Sequence, residues 1–251
     1  LPIYVYVEKP CSHTPREGEL MVANSIKHKR VCTMGTQRRS TPGHREAINR
    51  IHGGAIGNVL YARCWYANRR GPIGKGKQVP VPDWLDYKLW QGPCTEKPFK
   101  DNLVHYNWHW HWHWGNGELG NNGVHAIDVA RWGMQVDYPT RIVSAGGRYR
   151  FDDDQETADT HLTSFEFGKK LLVWEGLSWS PKGSEKTGFG VAFHGDKGTL
   201  ILLDKKWEIY DIRNKLVESK DHAMNDAPHF DDFLGCIRKG GEPNANISEA
   251  H

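Results

Sequence analysis

The 251-residue sequence contains no C-x-x-C pair, no long apolar run and no surplus of charge of either sign. Each absence closes off a class of function. The five cysteines, at positions 11, 32, 64, 94 and 236, are widely and unevenly spaced, so neither a zinc knuckle nor a dithiol redox site is written in them. They read as ordinary thiols, which favours a reducing, cytoplasmic compartment. Export would need a signal before Leu1, since none is visible in the chain. No stretch approaches the ~18 apolar residues that span a bilayer, so no membrane partner is expected. The 33 basic and 30 acidic residues leave a formal charge of +3 with no block of one sign, so nucleic acid is not expected either. What the chain does have is 11 tryptophans and 38% hydrophobic content, ample material for one large core or two modest ones.

One stretch stands apart. In YNWHWHWHWGN, Tyr106 to Asn116, tryptophan and histidine alternate strictly. On an extended strand His109, His111 and His113 would project from one face about 7 Å apart, which is how a strand offers His-x-His to zinc. Alternation alone fits equally a strand with tryptophans packed inward and histidines outward. A third reading is a cleft wall, with indole faces stacked on a sugar ring and imidazoles bonding its hydroxyls.

The organisation divides in two. LPIYVYVE, a helix from Pro15 to about Lys29, VCTMG, a helix from about Thr41 to a stop at Gly53, and NVLYARCWYA read as β-α-β-α-β, the grammar of a parallel α/β unit. Residues 68 to 100, rich in Gly, Pro and Lys, suit a long surface excursion. NGVHAIDVARWGM is a helix with Asn121 or Asn122 as its N-cap. Five strand patterns follow without intervening helices: TRIVSAGGRYRF, DTHLTSFEF, KLLVWEGLSWS, GVAFHGDKGTLILLD with a hairpin at 194 to 197, and KWEIYDI. They imply an open, mainly antiparallel or mixed sheet flanked by helices. HFDDFLGCIRKGG closes the chain as a helix with a glycine stop. The fold class is α/β (α+β).

Five strings in this order, VEKP (7 to 10), GTQRRSTPGHREAINRIHGGAIGNV (35 to 59), GELGNNGVHAIDVARW (117 to 132), FHGDKGTL (193 to 200) and HFDDFLGCIRKGGEPNANISEAH (229 to 251), resemble the Gfo/Idh/MocA family of glucose-fructose oxidoreductases and inositol dehydrogenases. The resemblance covers nearly the whole chain. It implies residues 1–57 as the remnant of a Rossmann nucleotide-binding domain, N-terminally truncated, and residues 58–251 as the C-terminal α/β domain for substrate and oligomerisation. It further implies an NAD(P)-dependent oxidoreductase acting on a sugar, polyol or glycoside, and a homo-oligomer formed through the open sheet.

The resemblance also carries site residues. Glu8, Lys9 and Pro10 match the family's EKP motif, whose lysine reaches the nicotinamide ribose and the reacting hydroxyl; Pro10 is a candidate for a cis bond. His125 matches the histidine that takes the hydroxyl proton, a role suited to imidazole. Asn121 stands where the family has an aspartate; it can bond a hydroxyl but cannot accept its proton as a carboxylate would. Asn121, His125 and Asp128 share one face if the segment is helical from its start; from spacing alone, His125 reads as a packing histidine and Asp128 as a surface residue. Gln37 and Arg39 match positions bordering the cleft, with Arg38 equally a surface charge. Trp112 and His113 complete the substrate-binding candidates. In one family branch the tryptophan register of positions 108, 110 and 112 is shared and the histidines are replaced by non-ligands, which argues against metal.

The dinucleotide itself is poorly provided for. A Rossmann site needs a Gly-rich turn between strand and helix to admit the pyrophosphate. Gly74-Lys75-Gly76 is followed by Pro80 and Pro82, and GFGVAF reads as strand. Binding of NAD or NADP by this chain alone is therefore in question. Two rival classes remain: a cofactor-less carbohydrate-binding or structural relative, and a hydrolase, either of the NAD-dependent glycosidase type or a metal enzyme using His109, His111 and His113.

Overall fold

A computed structural model describes residues 3–250. Two sheets organise them. The first is a pair of three-residue parallel strands, β1 (Val5–Val7) and β2 (Cys32–Met34), in the register Val5 to Cys32. The crossover between them is α1 (Pro15–His28), whose start is fixed reciprocally: Thr14 Oγ1 accepts from the Glu17 amide, and the Glu17 carboxylate accepts from the Thr14 amide at 2.9 Å. Thr33 and Met34 also bond Ala245, which ties the small sheet to the last turn of the chain, α6 (Ile247–Ala250).

The second sheet has eight strands. In chain order they are β3 (Val59–Ala67), β4 (Arg141–Gly147), β5 (Thr160–Phe167), β6 (Lys170–Leu177), β7 (Phe189–Gly195), β8 (Gly198–Leu203), β9 (Lys206–Asp211) and β10 (Leu216–Asp221). Their spatial order is β10-β9-β8-β7-β3-β6-β5-β4, and only the β3–β6 pair is parallel. The mixed, mainly antiparallel sheet predicted from the sequence is thus present. Two expectations need correction. NVLYARCWYA does not extend the small parallel sheet; it is the central strand of the large one, because Ala62 and Cys64 are buried there beneath α4 (Val124–Met134). The exposed, charged strand β10 has no apolar alternation and went unforeseen.

One face of the large sheet packs α2 (Pro42–His52) and α4. Ala47, Ile48 and Ile51 from α2 and Ala126, Val129, Ala130 and Met134 from α4 meet Leu172, Trp174, Phe193, Leu200, Leu202 and Trp207 of the strands. Burying each of the large side chains contributes about 1.5–3 kcal/mol. The approach is close: a Cβ on Gly133 would lie 2.4 Å from the Phe193 ring, so only glycine lets α4 settle at that depth. The other face carries exposed Val143, Leu162 and Leu171.

The long excursion after β3 contains one short helix, α3 (Tyr87–Gln91), and the final long helix is α5 (Ala227–Lys239). The buried His229 anchors α5: its Nε2–H donates to the Met34 carbonyl and its Nδ1 accepts from the Ser40 hydroxyl, each at 3.0 Å.

Candidate functional site

Lys9 follows the C-terminal end of β1 and precedes a cis bond to Pro10, as the sequence allowed. Parallel strands place ligands beyond their carboxyl ends. Here that region is a cleft of about 700 Å³, walled by Glu8, Lys9, Pro10 and Cys11 on one side and by Trp90, Trp108 and Trp114 on the other. The Lys9 ammonium donates to Asn121 Oδ1 at 2.6 Å and to the Asn121 carbonyl at 2.9 Å. An ammonium has three N–H groups. One is therefore left for the cleft.

Asn121 does not cap α4. It lies inside a π-helical turn, Leu119–Gly123, that runs directly into the helix, and it is 3% exposed. The extra residue in that turn carries the Asn121 side chain toward Lys9. Its amide is fully used: Oδ1 accepts from Lys9, while Nδ2 donates to Tyr106 Oη at 3.2 Å and Glu118 Oε1 at 3.1 Å. Glu118 is buried and ion-paired to Arg70, Nε to Oε2 at 2.9 Å, and also accepts from Asn122. The Arg70 guanidinium lies over the Tyr106 and Trp110 rings at 5.4 and 5.0 Å.

This network explains the departure at position 121. With the Glu118 carboxylate one turn away, an aspartate would set two negative groups together, whereas the asparagine amide donates to Glu118 and accepts from Lys9. Sequence reasoning passed over Glu118, Arg70 and Tyr106. The available signal was Glu118 in GELGNN, three and four residues before the two asparagines.

Burial lowers the Lys9 basicity below the ordinary lysine value; Glu118 and Glu8 oppose the shift and Arg70 adds to it. His125 is pushed down to about 3, first by burial and then by the charges of Arg38 and Lys9. It is 8% exposed, its Nδ1 has no partner, and it is not part of the cleft wall. At neutral pH it is a neutral imidazole of weak basicity, close enough to Lys9 to feel its charge.

Other candidates divide between placements. Arg39 is buried with its fork filled by Asp128, Nη2 to Oδ1 at 2.7 Å and Nε to Oδ1 at 2.9 Å. Asp128 is accordingly interior, not a surface residue. Gln37 is half-buried in the 3-10 turn Gln37–Ser40 and does not line the cleft. Arg38, read as equally a surface charge, is tucked against Phe189 at 3.8 Å and pairs with Asp204 at 2.7 Å.

The tryptophan-histidine stretch is not a strand. Asn107–Trp110 is a 3-10 turn, and the chain then folds back so tightly that a Cβ on Gly115 would meet the His109 carbonyl at 2.6 Å. Each imidazole finds a different neighbour. His109 stacks on Trp108 at 3.8 Å and bonds the Tyr106 carbonyl, His111 lies 3.6 Å from the Glu156 carboxylate, and His113 bonds the Thr95 carbonyl at 2.7 Å. Among the described residues no group of three or more His, Cys, Asp or Glu is placed to hold a metal ion. Trp108 and Trp114 face the Lys9 cleft; Trp112 points into a separate hollow, and neither it nor His113 lines the cleft.

A small parallel pair beside a large mixed sheet, with a lysine after the first strand and helical turns delivering Asn121 and His125, defines an α/β architecture of two unequal sheets. Residues 44–201 match the profile of the GFO/IDH/MocA C-terminal domain, and the chain belongs to the Gfo/Idh/MocA family. Solved structures share the fold. A levoglucosan dehydrogenase in complex with NADH and levoglucosan is 15% identical with a TM-score of 0.74, covering 98% of this chain and 67% of its own. An aldose-aldose oxidoreductase from Caulobacter crescentus complexed with glycerol is 17% identical, TM-score 0.70, covering 98% and 65%. An oxidoreductase from Agrobacterium radiobacter in complex with NAD+, L-tartaric acid and magnesium is 11% identical, TM-score 0.69, covering 99% and 67%. The chain spans about two thirds of the length of these structures. No match was found among proteins of curated function.

Proposed function

We propose that the Lys9 cleft is the alcohol-handling half of an NAD(P)-linked oxidoreductase whose substrate is a sugar, polyol or glycoside. The observation that carries this is the Lys9 ammonium on an indole-walled cleft, two N–H groups held by Asn121 and the third free. A substrate hydroxyl there would accept from Lys9, and negative charge developing on its oxygen would be stabilised by the cation. The indoles of Trp108 and Trp114 suit the apolar face of a sugar ring. The family resemblance nominates His125 to receive the hydroxyl proton; because it lies outside the cleft wall, that transfer would need a group bridging hydroxyl and imidazole. Its depressed basicity means that it would hold that proton only while the alkoxide charge develops nearby.

The dinucleotide fits this chain poorly. Between β1 and α1 the turn Glu8 to Thr14 contains no glycine, and among the described residues no Gly-rich strand-turn-helix cradles a pyrophosphate. By the family resemblance Glu8, Lys9 and Pro10 would hold the nicotinamide ribose, and the group, when bound, would accept the hydride.

The same misfit favours a second reading, a carbohydrate-binding relative without turnover. One experiment separates them. Glucose, myo-inositol and glycerol are each offered with NAD+ or NADP+ at millimolar concentration, and nicotinamide absorbance and tryptophan emission are followed in wild type and Lys9→Met. The oxidoreductase reading expects reduction of the dinucleotide with at least one alcohol, lost in Lys9→Met. Lys9-dependent emission changes without reduction favour the binding module. Neither response to any probe overturns both. The exposed face around Val143, Leu162 and Leu171 is the candidate surface for a homo-oligomer, checked by sedimentation of wild type against Leu162→Lys.

A further inference from the structure

On the far side of the tryptophan-histidine stretch lies a second hollow of about 390 Å³, between the edge strand β4 with its neighbour β5 and the segment from Trp112 to Leu119. Nothing in the Lys9 site uses it. Trp112, 57% exposed, presents its indole at the hollow and is steadied from behind, its amide donating to the Glu156 carboxylate at 2.8 Å. Large aromatics at ligand sites work as flat apolar platforms, and here the indole borders a mainly apolar hollow edged by a few hydroxyl and imidazole groups.

The opposite wall is mostly alanine and glycine backbone, with Ser144 and His161 as its polar points and Thr163 buried behind them. Ser144 on β4 and His161 and Thr163 on β5 share one face of the sheet, because Ser144 pairs with Thr163 and Gly146 with His161 across the antiparallel ladder. Their polar atoms close a triangle: Ser144 Oγ to His161 Nε2 is 2.7 Å, Thr163 Oγ1 to His161 Nε2 is 2.8 Å, and Ser144 Oγ to Thr163 Oγ1 is 3.1 Å. Burial keeps His161 less basic than an ordinary histidine, hence neutral at physiological pH. A neutral imidazole has one N–H and one bare nitrogen, so Nδ1 is a donor if Nε2 accepts from a hydroxyl and an acceptor if Nε2–H donates to one. In either tautomer Nδ1 has no hydrogen bond among those of the described residues, and the hydroxyl oxygens retain unused lone pairs. The triangle thus offers both a donor and acceptors, held in place before any ligand arrives. Charge is nearly absent: Glu118 is the one ionised group on the wall, and its carboxylate is already engaged by Arg70, Asn121 and Asn122.

We propose that this hollow binds a neutral pyranose ring, stacked on Trp112 and hydrogen-bonded through its hydroxyls to His161 and Ser144. A flat apolar platform facing neutral donors and acceptors matches a sugar, which has C–H faces and hydroxyl edges. It matches neither a phosphate nor a cation. Asn116 borders both this hollow and the Lys9 cleft, so a saccharide longer than one ring could run from one to the other. The inference does not depend on the reading of the cleft.

The test is saturation-transfer NMR and calorimetry on the full chain with methyl β-D-glucopyranoside, cellobiose and maltose. Saturable binding of at least one is expected. Trp112→Ala, an exposed position whose loss should not disturb folding, is expected to weaken it roughly tenfold or more, and Ser144→Ala or His161→Asn about 2–12-fold. In a Lys9→Met background, where the hydroxyl contact of the cleft is removed, saturable binding of methyl β-D-glucopyranoside should persist and still be weakened by Trp112→Ala. Three results would overturn the proposal: no saturable binding of any of the three sugars, binding equally tight in Trp112→Ala, or binding removed by Lys9→Met while Trp112→Ala retains it. The last would assign the sugar to the Lys9 cleft, so the two sites fail separately.

Discussion

The two sheets use their residues in opposite ways. Along the helix-covered face of the eight-stranded sheet the buried side chains are almost all apolar, from Ala62 and Cys64 through Trp174 to Phe193 and Trp207. The small parallel pair has three residues per strand and little core of its own, with Cys32, Met34 and Ile247 at its centre. What it has instead is Lys9 at the end of its first strand and a polar network reaching Asn121, Glu118 and Arg70. Stability resides in one sheet and the candidate chemistry at the end of the other, and the two are joined by the buried Arg39–Asp128 pair.

Substitutions can break or sharpen that contrast. The largest effect is expected at the joint. Asp128→Ala leaves the buried Arg39 guanidinium with only a 3.8 Å contact to the Glu249 carboxylate and should destabilise the chain by about 3–5 kcal/mol in chemical denaturation; a loss below about 1 kcal/mol would mean the pair is not buried as described. Next is the large sheet itself. Gly133→Ala forces a methyl against the Phe193 ring and Ile48 and should cost about 1–3 kcal/mol.

Acid should act on the same region. His44 and His125, on the two helices that cover the large sheet, are both lowered from 6.5 to about 3, by burial first and then by nearby cations. The unfolded chain takes up protons below about pH 6.5 while the folded chain does not until about pH 3. Their contribution to stability is complete above about 6.5 and is lost as pH falls toward 3. A melting temperature that drops by several degrees between those limits is expected, at roughly 2–4 °C per kcal/mol. A flat profile would show that the imidazoles are open to water. The smallest effect on stability should come from Lys9→Met, within about 1 kcal/mol of wild type, although the same change removes the proposed alcohol contact.

Much of this was legible in the sequence, and the reasons differ by region. The strands of the large sheet alternate with a period of two, so β5, β6 and β9 were visible; β10, whose two apolar residues are adjacent and exposed, has no alternation to read. Thr14 with Glu17, and Gly53 after His52, marked helix ends through local chemistry. The tryptophan-histidine stretch misled because alternation predicts a strand only when a neighbouring strand is there to pair with it. At Asn107–Trp110 the backbone closes on itself instead, and Glu156, distant in sequence, takes the Trp112 amide. The Asn121 turn was missed for a similar reason: a π-helical residue shifts the face by one position, and spacing rules assume a regular helix. Lys9, Asn121 and His125 were singled out by motif, but the carboxylate that organises them, Glu118, becomes evident only when Arg70 is seen to meet it.

Lys9 is a partly buried ammonium set by Asn121 and Glu118. The direct measurement is the Lys9 Nζ titration by NMR on carbon-13 lysine, in wild type, Asn121→Asp and Glu118→Gln. Wild type should titrate below ordinary lysine, Asn121→Asp should raise the midpoint by adding negative charge, and Glu118→Gln should lower it further. A Lys9 signal that titrates as a free lysine and ignores both substitutions would contradict the site.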